Sequence, residues 1–229
     1  MRIGVLFSGG KDSCLALYKA MKLHKVVCLI SLISKNKESY MFHTPNIELT
    51  KIQAEAIELP LIQKITEGEK EKELEDLKEV LNLAKERFGI EGVTTGAIKS
   101  VYQESRIEKI CKELDLQCFN PLWQKDQIEI LNELVENNFK VVISGVFAYP
   151  LDKSFLGKMI DSEMIKKLKQ LMEKYDLNPA GEGGEIETTV LDAPFFKKKI
   201  EILDYDISYN ENSGVFRIKN ARLVDKKNS

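Results

Sequence analysis

The sequence has few of the residues that build metal centres or disulfides. It contains two histidines and four cysteines, Cys14, Cys28, Cys111 and Cys118, and no two of the cysteines form a CxxC pair. A structural zinc site needs about four such ligands close together, so neither a zinc centre nor a CxxC redox motif is expected. We expect Cys14 and Cys28, which lie in apolar segments, to pack in the core.

Long apolar runs and an excess of basic charge are missing as well. No run approaches the roughly eighteen apolar residues of a membrane-spanning helix, so none is expected. The chain begins with a strand-like segment instead of a signal peptide, which predicts a cytoplasmic protein. Lys and Arg total 34 against 36 Asp and Glu. Proteins that wrap a large RNA usually carry a basic excess, so a nucleic-acid partner is not expected.

Apolar patterns divide the 229 residues into two parts. In the first part strand-like and helical segments alternate, which predicts an α/β fold with a parallel doubly wound sheet. Its predicted strands are 3–7, 26–33, 61–65, 92–95 and 116–119, and its helices 14–21, 44–58, 69–88 and 107–114. Later come a helix at 127–137, a strand at 141–147, a helix at 161–175 and strands at 187–191, 200–209 and 215–224. We expect two domains, 1–123 and 124–229, the second a smaller α+β unit.

The most informative segment is residues 8–13, Ser-Gly-Gly-Lys-Asp-Ser, between the first strand and the first helix. A glycine-rich turn that leads from a strand into a helix N-terminus is typical of a phosphate site, since backbone N–H groups and the helix dipole favour anions. Gly9 and Gly10 would let the backbone approach phosphate oxygens. Ser8 and Ser13 offer hydroxyl donors, and Lys11 offers a mobile positive charge. The alternative is a turn that only links strand to helix.

This segment differs from the common P-loop, which has four residues between its first glycine and the Gly-Lys-Ser/Thr end. It resembles the pyrophosphate loop (PP-loop) of the N-type ATP pyrophosphatases. In that superfamily ATP is split between its α- and β-phosphates, and an acceptor becomes adenylylated. The resemblance implies a HUP-like, Rossmann-type form of the parallel sheet predicted above.

A second unusual segment, residues 181–188, holds three glutamates and three glycines in eight residues. Glu185 and Glu187 would share one face of a strand because side chains alternate along it, and Glu182 would lie in the turn before them. Concentrated negative charge is unfavourable unless a cation neutralises it. Candidate cations are Mg²⁺, ammonium and a cationic substrate. The alternative is a solvated acidic turn.

Together the two segments resemble the diphthine–ammonia ligase family of archaea and eukaryotes. The resemblance extends to residues 95–98 (Thr-Gly-Ala-Ile), 100–106, 121–123 (Pro-Leu-Trp) and 191–194 (Leu-Asp-Ala-Pro), in the family's order. The pyrophosphate loop identifies only the superfamily, whereas the acidic glycine-rich segment makes the match specific. The resemblance therefore covers most of the chain.

The resemblance implies the last step of diphthamide synthesis. The family uses ATP to adenylylate the carboxylate of diphthine, a modified histidine of translation elongation factor 2, and ammonia then displaces AMP to give the amide. The expected cofactors are ATP and Mg²⁺, and a homo-oligomer is possible. We expect free ammonium as the nitrogen source, because a glutaminase would need an additional domain.

The expected nucleotide contacts follow the loop. Lys11 would stabilise charge on the leaving pyrophosphate, and Asp12 would bind Mg²⁺ or cap the helix. Gly96 would let ATP approach the backbone. The other expected contacts are to the β- and γ-phosphates from Ser8, Gly9, Gly10 and Ser13, to adenine from Ser31 and Ile33, and to the nucleotide from His43, which could equally be an ordinary surface histidine.

The expected substrate contacts use charge and aromatic faces. Carboxylates and aromatic rings attract a trimethylammonium group, and a carboxylate could also take the proton of ammonium as general base. These roles are expected for Glu182, Glu185 and Glu187, with Tyr102 or Trp123 as the ring. Gln103, Arg106 and Thr188 complete the expected set, although helix-surface residues such as Gln103 and Arg106 often bind nothing.

Two other functions share the loop. A tRNA-modifying enzyme of the same superfamily, such as a thiolase, should also have paired cysteines and a basic RNA-binding surface. A regulatory module similar to universal stress proteins would bind ATP without releasing AMP. Neither alternative needs the acidic segment.

Overall fold

The computed structural model describes residues 1–36 and 45–226. Its first sheet has five strands, all paired in parallel, in the order β3-β2-β1-β4-β5. The strands are β1 (Arg2–Leu6), β2 (Lys25–Ser34), β3 (Leu61–Thr66), β4 (Gly92–Thr94) and β5 (Gln117–Phe119). The strand order reverses between β1 and β4, and ligands of such sheets bind beyond the carboxyl ends of strands at this point. The predicted parallel α/β sheet is confirmed.

Helices cover both faces of this sheet, namely α1 (Lys11–Leu23), α2 (Thr50–Ile57), α3 (Lys70–Phe88) and α4 (Val101–Glu113). The helix predicted at 69–88, a segment rich in charged residues, is α3, whose Leu77 and Leu81 are buried. Gly89 ends α3 in the left-handed conformation, with φ 59°, which glycine adopts without a Cβ clash. Most charged residues of α3 therefore belong to the solvated face of an amphipathic helix.

The remainder of the chain forms a four-stranded antiparallel sheet in the order β7-β6-β9-β8. Its strands are β6 (Lys140–Val146), β7 (Ile186–Asp192), β8 (Lys198–Asn210) and β9 (Ser213–Asp225), and its helices are α5 (Gln127–Glu136) and α6 (Ser162–Tyr175). Residues 211 and 212 join β8 to β9 in a hairpin, so the loop is shorter than the interval 210–214 between the two predicted strands. The predicted α+β character is confirmed.

One hydrophobic core joins the two parts of the chain. Leu15 and Leu17 of α1 belong to the same buried cluster as Ile130 of α5, Val190 of β7 and Phe216 of β9. A second cluster fills the opposite face of the parallel sheet, beneath α3 and α4. Because the first cluster spans both sheets, the two parts pack as one body, and the division at residue 123 stays a prediction.

The helix predicted at 44–58 begins later than expected. Residue 44 lies outside the described residues, Ile47–Leu49 form a single 3₁₀ turn, and α2 starts at Thr50. Asn46 is left-handed, with φ 63°, and its buried side chain donates to Phe216 O at 3.0 Å and accepts from Ile218 N–H at 2.9 Å. These bonds to β9 replace the first helical turn.

Two further expectations concern the cysteines and membrane-spanning helices. Cys14 and Cys28 are buried free thiols, as expected for core residues. Cys111 is also buried, and Cys118 is half-buried. Across residues 1–36 and 45–226, no helix is both long and apolar enough to cross a membrane.

Candidate active site

Residues 8–13, called the phosphate loop below, lie beyond the carboxyl end of β1, where the strand order reverses. Helix α1 starts directly after Gly10 without a side-chain cap. Asp12 therefore does not cap the helix, which was one of its two expected roles. A helix N-terminus that opens at the switch point of a parallel sheet is suited to bind phosphate, because the dipole and the first-turn N–H groups face the crevice.

The two serines of the phosphate loop contact each other. The Ser8 and Ser13 hydroxyl oxygens lie 3.2 Å apart, and Ser8 N–H donates to Ser13 Oγ at 3.3 Å. Ser13 Oγ also donates to Gly10 O at 3.1 Å. The serines therefore close the loop on itself and bring their hydroxyls to one place.

Strand β7 holds the phosphate loop from outside. Thr188 Oγ1 accepts a hydrogen bond from Lys11 N–H at 3.1 Å, and Val190 N–H donates to Gly9 O at 2.9 Å. Gln53 of α2 also donates to Gly9 O, at 2.9 Å. The expected substrate residue Thr188 thus anchors the loop. Sequence reasoning missed Gln53, because an amide within an apolar helical pattern carries no motif.

Lys11 was expected to be mobile, but it is held in place. Its side chain is 2% exposed, and Nζ lies 2.8 Å from Asp12 Oδ2. The other carboxylate oxygen, Asp12 Oδ1, is buried and has no hydrogen-bond partner among the described residues. A buried ammonium needs a paired carboxylate, so the loop keeps a fixed positive charge beside a free carboxylate oxygen.

Two glutamates of the acidic segment interact electrostatically with this pair. Burial raises the pKa of Glu187 to about 7, and of the two charged neighbours Lys11 lowers it and Asp12 raises it. Burial also raises the pKa of Glu182, although Glu182 Oε1 accepts Lys99 N–H at 2.9 Å, which favours the ionised form. The structure thus brings Glu182 and Glu187 to the phosphate loop.

Glu185 has a different environment. It directly precedes β7, and its Oε1 accepts a hydrogen bond from Asn178 Nδ2 at 2.6 Å. Gln127 Nε2 in turn donates to Asn178 Oδ1 at 2.8 Å. Glu185 Oε2 is buried without a partner in the described part of the chain. Glu185 is therefore oriented by a chain of amides and has one oxygen available to a donor or a cation.

The start of α4 lies beside the acidic segment, because Glu182 accepts the N–H of Lys99. Ser100 caps this helix and accepts Gln103 N–H at 3.3 Å. The Arg106 guanidinium lies over the Tyr102 ring, 3.5 Å from its centroid. Since a protein cation occupies this ring, Tyr102 already makes the cation–π contact that was expected from a substrate.

Four other expected residues lie at or near the strand ends. Ser31 is buried and donates to Phe7 O at 2.5 Å, and Ile33 lies in the last part of β2. A Cβ at Gly96 would lie 2.8 Å from the Asp12 and Ser13 backbone, so this glycine lets the β4 turn pack on the phosphate loop. Half-buried Trp123 follows β5. The expected residue His43 lies outside the described residues.

Asp12 fits a magnesium ion that is held mainly by substrate phosphates. Within the two described ranges, no group of three or more His, Cys, Asp or Glu side chains could hold a metal. Proteins commonly bind Mg²⁺ through one or two carboxylates together with substrate phosphates and water. The unpartnered oxygen of Asp12 beside the phosphate loop meets this requirement.

Known proteins resemble the chain along most of its length. The diphthamide synthase N-terminal domain matches residues 1–118, and the diphthamide synthase C-terminal domain matches residues 126–224. The diphthine–ammonia ligase of Mus musculus is 40% identical over an alignment 222 residues long, which covers 88% of this chain and 83% of the relative. That of Schizosaccharomyces pombe is 35% identical over an alignment 244 residues long, which covers 99% of this chain and 40% of the relative.

Among solved structures, the predicted subunit of tRNA methyltransferase from Methanocaldococcus jannaschii superposes with a TM-score of 0.45 at 20% identity, over 85% of this chain and 98% of that one. The sequence matches are much closer, and the two matched domains follow each other in order along the chain. The chain belongs to the diphthamide synthase family.

Proposed function

We propose that the chain is an ATP-dependent ligase that amidates the carboxylate of diphthine on translation elongation factor 2, giving diphthamide, AMP and pyrophosphate. The observation that carries the proposal is the contact between its two motifs. Strand β7, which continues directly from the glutamates, donates to the phosphate loop through Val190 and accepts from it through Thr188. Family membership supports the identity of the substrate.

The first step joins the diphthine carboxylate to AMP. A carboxylate oxygen attacks the α-phosphorus of ATP, the bond to the β-phosphate breaks, and pyrophosphate leaves. Ser8, Gly9, Gly10 and Ser13 hold the departing phosphates. Lys11, already fixed by Asp12, stabilises the negative charge that develops on them, and a preorganised charge is effective because it needs no reorganisation during the reaction.

The second step needs ammonia, which arrives as ammonium. The Glu187 carboxylate accepts a proton from ammonium, and the resulting ammonia attacks the acyl carbon. AMP leaves with its bridging oxygen, and the nitrogen loses its excess proton to solvent to give the neutral amide. A base is most useful when its pKa lies near the working pH. Burial raises the pKa of Glu187 to about 7, which supports this residue as the base.

The trimethylammonium group of diphthine requires negative charge and an aromatic face. Glu182 supplies the charge at the mouth of the site, next to the start of α4. Trp123 is the better aromatic candidate, because Arg106 already covers Tyr102. Gln103 and Arg106 contact the substrate from the same helix end.

Asp12 would hold Mg²⁺ together with the phosphates. The ion would neutralise the phosphate oxygens and so assist departure of pyrophosphate. Ser31, Ile33 and Gly96 border the nucleotide from the neighbouring strand ends. His43, which lies outside the described residues, is a further nucleotide contact of this proposal. Free ammonium is the nitrogen source, and the reaction takes place in the cytoplasm on the folded elongation factor.

The nucleotide products distinguish the proposal from its alternatives. The chain is incubated with ATP, Mg²⁺ and ammonium, with and without diphthine-bearing elongation factor 2. We expect AMP and pyrophosphate only with that factor, together with the mass change from carboxylate to amide. AMP formed with tRNA would support a tRNA-modifying enzyme. Bound ATP with no AMP in any mixture would support a regulatory module.

A further inference from the structure

Gln53 is a buried amide in contact with the phosphate loop. It lies in the middle of α2, and its side chain is 0% exposed. Its Nε2 donates to two backbone carbonyls, Gly9 O at 2.9 Å and Val190 O at 2.8 Å. One amide group therefore connects the loop to strand β7, which comes from the other part of the chain.

These bonds fix the orientation of one peptide plane. Gly9 O accepts from Gln53 Nε2 and from Val190 N–H. In a planar trans peptide the carbonyl and the following N–H point in opposite directions. With Gly9 O held toward α2 and β7, the Gly10 N–H is directed away from them, toward the Ser8 hydroxyl at 3.4 Å.

The Gly9 backbone is shaped to Gln53 as well. Gly9 has φ +76°, and a Cβ on it would lie 2.0 Å from Gln53 Oε1. Such a distance is far below van der Waals contact, so no other residue fits here without moving Gln53. A glycine is thus required at position 9 by contact with the Gln53 amide, and not only by the approach of a phosphate.

The N–H group of Lys11, the residue after Gly10, points toward β7 instead. Lys11 N–H donates to Thr188 Oγ1 at 3.1 Å. The loop therefore has one N–H that is engaged by β7 and one, on Gly10, that is turned away from β7 and makes only a long contact of 3.4 Å with the Ser8 hydroxyl.

We propose that Gln53 is a positioning residue that sets the anion-binding orientation of the Gly10 N–H by clamping the Gly9 carbonyl. The inference rests on the proposed use of ATP by the phosphate loop. It predicts that loss of the Gln53 amide weakens binding of the β- and γ-phosphates selectively, because the Gly9–Gly10 plane becomes free to rotate. Binding of the adenosine part does not depend on this plane.

The test compares pyrophosphate and AMP binding to Gln53→Met by isothermal titration calorimetry. Methionine keeps the length of the side chain and removes both donors. Loss of a hydrogen bond to a charged group predicts about tenfold weaker pyrophosphate binding, with AMP binding changed by less than about twofold.

The matched control is Asn46→Gly. Asn46 also connects residues before α2 to β7 and β9, through Thr189, Phe216 and Ile218, and does not hydrogen-bond the loop. Glycine keeps its left-handed backbone. This variant should lose thermal stability and keep wild-type affinity for pyrophosphate. Equal weakening of both ligands in Gln53→Met, or unchanged pyrophosphate affinity, would overturn the inference.

A measurement on the wild type covers the case in which Gln53→Met does not fold. In amide NMR spectra, pyrophosphate should shift the Gly10 N–H resonance more than that of Lys11. Bound pyrophosphate that leaves Gly10 unshifted would overturn the role of Gln53 while leaving the proposed function standing. Failure of wild-type protein to bind either pyrophosphate or ATP would overturn both.

Discussion

The phosphate loop and the acidic segment (residues 181–188) are neighbours in the structure, but different kinds of contact hold them in place. In the loop, Gly9 O has two donors and Lys11 is 2% exposed and paired with Asp12. In the acidic segment, Gly183 and Gly184 are exposed, and Glu185 keeps a buried oxygen without a partner among the described residues. The loop is thus prearranged for a small ligand of constant shape. The glutamates, in contrast, keep negative charge that a bound cation can neutralise.

The two regions also differ in how far the protein itself compensates their charges. The positive charge of Lys11 is compensated within the protein, because the carboxylate of Asp12 lies 2.8 Å away. The negative charge of Glu187 is only partly compensated, and burial raises its pKa to about 7. Uncompensated buried charge is unfavourable in the free protein, and it is available to attract ammonium or a trimethylammonium group.

The largest effect is expected from the loop charge. Lys11→Met keeps the buried volume and removes the ammonium, so kcat should fall by about 10³-fold, a loss typical of a preorganised charge in the transition state. Circular dichroism should show a folded protein. Lys22→Met, in the last turn of the same helix, is the control and should keep its activity. Turnover within a few-fold of wild type in Lys11→Met would remove Lys11 from the mechanism.

The next effect concerns the proton of ammonium. Glu187→Gln should lower kcat by about 10²-fold, as expected for loss of a general base. In the wild type, kcat/KM for ammonium should rise with pH through about 7, as Glu187 ionises. In the variant this inflection should vanish, leaving only the rise caused by the growing fraction of free ammonia.

The control for this pH profile is Glu201→Gln, on exposed strand β8, which should keep both the rate and the inflection. An inflection near pH 7 that persists in Glu187→Gln would assign the base to another group.

Glu187→Gln should lower activity but raise the free energy of unfolding. Because the pKa of Glu187 is raised in the folded state from 4.5 to about 7, the native protein binds more protons than the unfolded chain in this window, and the wild type loses stability as pH rises through it. Glu187→Gln removes this loss. Its free energy of unfolding relative to wild type should therefore increase between pH 4.5 and 7, by about 3 kcal/mol at most.

Urea unfolding of both proteins at several pH values measures this difference. A difference that is independent of pH would mean that Glu187 is not buried in its ionised form.

The smallest effect is expected in the acidic segment, where Asn178 orients Glu185. Asn178→Ala removes the 2.6 Å bond to Glu185 Oε1, so this carboxylate gains freedom while the loop is untouched. We expect about a tenfold increase in KM for the protein substrate, close to the value of one hydrogen bond to a charged group, and an unchanged KM for ATP. A change in KM for ATP alone would show that the two regions are not separable in this way.

The sequence predicted the fold well because its signals are local. Continuous apolar strands, the four-residue spacing of Leu77 and Leu81, and Gly89 at a helix end all act within a few residues. Asn46 broke one prediction, because its bonds reach β9 about 170 positions away. Such a contact leaves no trace in a local pattern.

The candidate site was predictable only in its residue types. Motif spacing identified the loop and the glutamates, but it could not show that Lys11 is locked to Asp12 or that Thr188 faces the loop. Gln53 escaped notice entirely, since its importance depends on two carbonyls from distant segments. The division of the three glutamates between two environments also follows from packing and not from their spacing.

The most direct test of the account is the fate of a carboxylate oxygen. Diphthine on elongation factor 2 is labelled with ¹⁸O in its carboxylate and turned over with ATP, Mg²⁺ and ammonium, and the products are analysed by mass spectrometry. Adenylylation at the phosphate loop predicts one ¹⁸O atom in each AMP and none in pyrophosphate. Unlabelled AMP, or label in released phosphate, would contradict the account.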